Sequence, residues 1–137
     1  MALQVEVVSP ERILWEGEAA MVQARTVGGG EIAFLTGHAP FLGALQTARV
    51  VVRPDGDGED QAIAVHGGFV EVSDDRVTIL SDVAELADTI DTDRARRAAE
   101  RAEAARSGAE GEALDEAEAA LRRAQVRLEA AGQPTTT

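Results

Sequence analysis

The sequence predicts an α+β protein: an N-terminal antiparallel β-sandwich followed by a C-terminal antiparallel two-helix hairpin. Three observations carry this. Through residue 88 the chain is valine-rich, punctuated by glycine, and alternates apolar with polar residues, the period of half-buried strands. From Thr92 the period turns helical, and alanine, arginine and glutamate dominate. Ser107, Gly108 and Gly111 then interrupt that run, as a reversal between two helices requires. We divide the chain into a sandwich over residues 1–88, a hairpin over 89–131 and a disordered tail over 132–137.

The elements follow in order. Leu3-Gln4-Val5-Glu6-Val7 alternates cleanly, and Ser9-Pro10 ends it because proline cannot donate to a ladder. Ile13-Leu14-Trp15 and residues 18–26 read as two strands bent at Gly17, with Trp15 at the core edge. Gly28-Gly29-Gly30 is a turn; a strand pattern, Glu31 to Leu35, follows it, so it is not a dinucleotide fingerprint. Thr36-Gly37-His38-Ala39-Pro40 turns the chain into residues 41–45, and a further strand over 49–53 ends at Pro54.

Asp55-Gly56-Asp57-Gly58-Glu59-Asp60 has the look of half a calcium loop. The closing glutamate position holds His66, so a solvated hairpin tip is the better reading. Strands over 61–66, 69–72 and 76–80 follow, with a bulge or bend at Gly67-Gly68 and a turn at Ser73-Asp74-Asp75. Asp91 or Thr92 caps the first helix, and Asp93 suits the positive end of its dipole. Ala95, Ala98, Ala102 and Ala105 form one stripe; Leu114, Ala117, Leu121, Ala124 and Leu128 form its partner. Each alanine contact buries little more than a methyl group, about 0.8 kcal/mol. Composition therefore leaves open whether the hairpin is permanently docked or opens.

The net charge of −12 argues against nucleic acid and against an anionic lipid surface as partner. Residues 1–88 carry 15 acidic residues and 5 arginines, whereas residues 89–137 carry 10 and 8. Cationic side chains are thus concentrated in the helices. Arg94, Arg97 and Arg101 share one helical face, and Arg123 and Arg127 another. Folded together, these faces suit phosphate groups. Spacing alone favours the plainer reading, solvated arginines paired with Glu100 or Glu103. The chain has no cysteine, and no nucleophile, Walker or metal-site pattern, so no enzyme chemistry is indicated. His38 and His66, both beside glycine turns, read as turn hydrogen-bonding residues.

Several segments, taken in order, resemble one family. They are Val7-Val8-Ser9-Pro10-Glu11-Arg12, then the stretch from Gly30 through Thr36-Gly37-His38-Ala39-Pro40 to Leu42, then Gly67-Gly68-Phe69-Val70-Glu71-Val72, Val77-Thr78-Ile79-Leu80 and Ile90-Asp91-Thr92-Asp93-Arg94-Ala95. Together they resemble the epsilon subunit of bacterial F-type proton-translocating ATP synthase over about residues 3–128. Ala33 and Thr47-Ala48 stand where that family usually has glycine.

The resemblance implies a non-catalytic rotor subunit, peripheral on the cytoplasmic face of the cell membrane without inserting into it. Its sandwich would bind the gamma subunit and rest on the c-subunit ring, with the turn region holding Glu31 and His38 facing that ring. Its helices would brake ATP hydrolysis, reaching the alpha and beta subunits when extended. In some members the folded-down hairpin binds ATP through an Ile/Leu-Asp-x-x-Arg-Ala motif, matched here by Ile90, Asp91, Arg94 and Ala95. Glu85 and Arg101 fall at the family's further contact positions, and Arg123 and Arg127 are the equivalents on the second helix. No cofactor is implied as required; ATP would be a regulatory ligand.

Overall fold

The computed structural model describes residues 2–132. Its strands are β1 (Leu3–Val8), β2 (Ile13–Thr26), β3 (Gly30–Leu35), β4 (Phe41–Pro54), β5 (Gln61–Ser73), β6 (Arg76–Leu80) and β7 (Ala84–Leu86). A 3-10 turn, Ala87–Thr89, leads into helices α1 (Thr92–Arg106) and α2 (Gly111–Ala130). The sandwich-plus-hairpin expectation holds. The expected tail falls on residues outside those described, apart from Gly132, whose φ of 75° lies just past the end of α2.

The strands run in the order β1-β6-β5-β4-β2-β3, and β2 also pairs with β1, which closes the sheet into a flattened barrel. Pairing is antiparallel except between β1 and β6, which are parallel and join the first strand to a late one. Closure removes most free edges and buries one continuous interior. Phe34, Leu3, Ile63, Ile79 and a set of valines fill it. Trp15 packs at its margin, as the sequence suggests.

Three expected breaks are absent. β2 runs straight through Gly17, because that glycine is not a hinge: a Cβ there would come within 3.1 Å of the Trp15 ring. The glycine makes room for the indole. β4 is a single strand whose register with β5 holds from Phe41↔Val72 to Val52↔Gln61; the irregularity near Thr47-Ala48 lies on its other side, where pairing with β2 shifts register between Gln23↔Val51 and Thr26↔Leu45. β5 likewise continues through Gly67 and Gly68, at φ 82° and 122°. No extra residue is inserted there, since Leu45↔Gly68 and Thr47↔His66 are in the same register. The pair instead separates the half of β5 that pairs with β6 from the half that pairs with β7.

The other turns form as their residues dictate. Asp74 and Asp75 both take positive φ, 52° and 58°, making the two-residue hairpin between β5 and β6. The Asp75 carboxylate also accepts a 2.7 Å hydrogen bond from the Gly37 N–H, which fastens the turn after β3.

Asp91 is the N-cap of α1, its carboxylate accepting from the Arg94 N–H at 3.0 Å. Asp91→Ala should therefore cost about 1 kcal/mol in chemical denaturation, read as a lower midpoint at unchanged slope. The α1–α2 seam is built from Ala95, Ala99 and Ala102 against Leu121, Ala124 and Leu128, with Ala98 at its side. Ala99 joins the expected stripe and Ala105 leaves it; Ala105 is exposed, one residue before α1 ends.

α2 also has a second buried face. Val126 and Ala130 pack on Ala64 of β5, with Ala62 and Ile90 alongside. Strand alternation explains the arrangement: Ile63 and Val65 point into the barrel, while Ala62, Ala64 and His66 point out towards the helix. Arg122 reinforces the contact, its Nε–H donating to the Thr47 carbonyl at 3.1 Å. The hairpin is thus docked on the outer face of β4, β5 and β7 through one helix.

Candidate functional site

The junction between the two domains folds into a cleft of about 350 Å³. Its floor is Glu85 of β7 and the segment that follows, with Thr89, Ile90 and Asp91; its walls are α1, with Arg94, Ala95, Ala98 and Arg101, and Arg127 of α2. Local structure explains why these groups converge. Capping by Asp91 starts α1 at Thr92, and helical spacing then puts Arg94, Ala98 and Arg101 on one side. The reversal at Ser107-Gly108 returns the chain so that Arg127, late in α2, lies opposite the start of α1.

Charge in the cleft is divided in two. Arg127 is engaged: its Nε–H donates to Glu85 at 2.7 Å. The same carboxylate oxygen is 3.0 Å from His66 Nε2. Burial pushes the Glu85 carboxyl upward, but hydrogen bonds from Arg127 and His66 outweigh it and hold the group below the usual range. A carboxyl so depressed contributes stability that is present above its ordinary pKa and lost as pH falls through the folded value. Arg94 and Arg101 have no carboxylate partner among the described residues; their neighbours Arg96 and Arg106 take the intrahelical pairs, with Asp93 and Glu103. The cleft therefore offers two unpaired guanidinium groups, beside an apolar wall of Ile90, Ala95 and Ala98 and the acceptor Asp91. That combination can hold an anion at one end and a flat, hydrogen-bonding group at the other.

The surrounding fold is that of one family. The beta-sandwich domain of the ATP synthase delta/epsilon chain matches residues 2–87, and the long alpha-helix domain of the same chain matches residues 88–132. The chain belongs to the ATP synthase delta/epsilon family. Its relatives place it among the epsilon chains. It is 46% identical to the ATP synthase epsilon chain of Streptomyces avermitilis, over 93% of this chain and 94% of that one. It is 43% identical to that of Streptomyces coelicolor, over 94% of each.

Among solved structures, a chain of the Euglena gracilis mitochondrial ATP synthase, determined as OSCP, F1 and c-ring, superimposes with a TM-score of 0.82. That match has 25% identity and covers 96% of this chain and 82% of the other. A chain from the central stalk and c-ring of the Tetrahymena thermophila enzyme shares the fold at 14% identity and a TM-score of 0.59, covering 96% and 97%.

For an epsilon chain, the residues singled out by sequence are distributed as follows. Glu85, Ile90, Asp91, Arg94, Ala95, Arg101 and Arg127 line the one cleft. Arg123 does not: it lies in the adjoining groove between the helices, 3.7 Å from Glu116. Glu31 and His38 are not brought together either. Glu31 is near the start of β3, and His38 is past its end, beyond some 13 Å of extended strand from Glu31 to Leu35. His38 behaves as a turn residue, bonded through Nδ1 to the Ala39 carbonyl at 2.7 Å and set edge-on to Phe34 and Phe41.

His66 is the residue the sequence misassigns. It makes no side-chain turn bond; its ring sits on the outer face of β5 with 4% of the side chain exposed, against Glu85. The missing signal was cross-strand pairing, which sets Glu85 opposite Ala64, two residues from His66 on the same face.

Proposed function

We propose that this epsilon chain is a non-catalytic rotor component of ATP synthase, whose hairpin regulates ATP hydrolysis under the control of bound ATP. The observation that carries the regulatory part is the cleft. Seven of the expected ATP contacts line a single space whose walls come from the domain junction and both helices, so only the docked hairpin assembles it. A ligand bound only by that state favours it by RT ln(1 + [L]/Kd), about 2.7 kcal/mol at a hundredfold excess over Kd. The apolar part of the docking contact is small, Val126 and Ala130 on Ala64, beside the hydrogen bonds of Arg122 and Arg127, and a shift of that size changes the docked-to-released ratio by about a hundredfold.

In this reading Arg94 and Arg101 take the phosphates, while Ile90, Ala95 and Asp91 hold the base. Released helices would reach the alpha and beta subunits. The sandwich would bind the gamma subunit and sit on the c-subunit ring, peripheral on the cytoplasmic face of the membrane. Exposed apolar side chains at both ends of β3, Val27 near Glu31 and Leu35 and Leu42 near His38, support the sandwich's role as a contact surface. No helix among the described residues is long and apolar enough to cross a membrane.

Calorimetry on the isolated chain tests the ligand: heat of ATP binding at millimolar or lower concentration is expected, and none at millimolar ATP would remove the proposal. An ATP hydrolysis assay on the complex with this chain ending at residue 88 tests the brake. Hydrolysis should rise once residues 89–137 are gone.

A further inference from the structure

His66 is a buried histidine whose surroundings differ sharply between a docked and a released hairpin. Its Nε2 faces Glu85, and its Nδ1 is buried without a hydrogen-bond partner among the described residues. In the neutral ring Nε2–H donates to Glu85 and Nδ1 is an idle acceptor, which is tolerable. A protonated ring would have to bury a second N–H with nothing to receive it. We infer that docking of the hairpin on the sheet is proton-linked through His66, so that taking up a proton there releases α2 from β4, β5 and β7. The inference rests on the proposal above that the hairpin moves.

The charges facing His66 come from each element packed against it. β7 supplies Glu85, the one compensating anion in contact among the described residues. α2 supplies Arg127, bonded to that same carboxylate, and Arg123, both of which oppose a charge on the ring. β4 places neutral Thr47 opposite, whose carbonyl is taken by Arg122, itself 3.5 Å from Glu129. The connection from β6 to β7 adds Asp82, which lines the same depression as His66. Burial, followed by the two arginines, lowers the affinity of the ring for a proton, against the pull of Glu85.

Both arginines belong to α2, so release of the helix removes them while leaving Glu85 on the sheet beside His66. The released state is therefore the better base, and protons favour it. The sign follows: docking is strongest above the ordinary histidine pKa and weakens as pH falls towards and through the depressed one. Over each pH unit in which only the released state holds the proton, the docked-to-released ratio falls by up to about tenfold.

The chain has no cysteine, so a single introduced thiol reports release cleanly. Val126→Cys places it in the fully buried contact with Ala64, and Glu118→Cys on the exposed side of α2 provides the reference. The probe is a thiol-reactive fluorophore on the full-length chain, and the reading is the rate at position 126 divided by the rate at position 118. Between pH 8 and pH 6, where carboxylates stay ionised, this ratio should rise severalfold, and it should be flat in a His66→Gln background.

A flat ratio in the wild-type background, or an equal rise with His66→Gln, overturns the proton linkage but leaves a mobile hairpin standing. Complete protection of position 126 at every pH overturns the mobile hairpin and the linkage with it. Should His66→Gln not fold, NMR titration of the wild-type imidazole decides. A His66 midpoint below that of a free histidine side chain, about 6.5, is expected, and one at or above it overturns the inference.

Discussion

Gly68→Ala is expected to remove about 3 kcal/mol or more of stability, lowering the thermal midpoint by roughly 10 °C. Two effects add. The backbone at Gly68 has φ 122°, a conformation that residues with a Cβ rarely adopt. A Cβ there would also lie only 2.1 Å from the Leu80 carbonyl oxygen and 3.0 Å from the Ser81 Cα, both backbone atoms of the neighbouring segment. Neither can swing aside without breaking the pairing of β5 with β6. Gly28→Ala is the control. Its φ of 80° carries strain but nothing lies within 4 Å, so it should cost only about 1 kcal/mol. Equal midpoints for the two variants, measured by circular dichroism, would show that the clash is relieved by movement we do not foresee.

The second large effect concerns ligand affinity. Alanine at Arg94 or at Arg101 should weaken ATP binding by roughly ten- to a hundredfold each, since a charge-assisted hydrogen bond contributes about 1.5–3 kcal/mol. Both side chains are exposed and without carboxylate partners among the described residues, so neither change should move the thermal midpoint by more than a degree or two. Arg97→Ala, on α1 but outside the cleft, should leave affinity within about twofold. Arg127→Ala should behave differently. It removes a partner of Glu85 as well as a wall of the cleft, so affinity and hairpin docking should both decline. Calorimetry at fixed ionic strength, paired with unfolding curves, distinguishes these outcomes.

The cap at Asp91, the reversal at Ser107-Gly108 and the seam from Leu121 to Leu128 were legible in the sequence because each is a local matter of capping, backbone freedom and helical period. Gly17 misled, because glycine marks either a bend or a crowded neighbour, and only the Trp15 ring above it tells which. Gly67-Gly68 misled in the same way. The pair keeps register with β4 while admitting Leu80, and its positive φ has a tertiary cause. Val126 and Ala130 carry a faint signal: apolar residues at 121, 124, 126, 128 and 130 are too dense for one stripe. A helix wedged between two surfaces explains that density.

What this sequence determined by itself was everything set within a turn or two of chain: the sandwich and hairpin, the cap of α1, the turns, and the cluster of arginines on helical faces. Tertiary structure alone decided which of those arginines are spent and which are unpaired, because Glu85 reaches Arg127 and His66 only when β7, β5 and α2 meet. Partners so far apart in sequence, 42 residues in one pair and 19 in the other, leave no periodic trace. Spacing reports the geometry of a single element, whereas the charge state of this junction is set by three elements packed together.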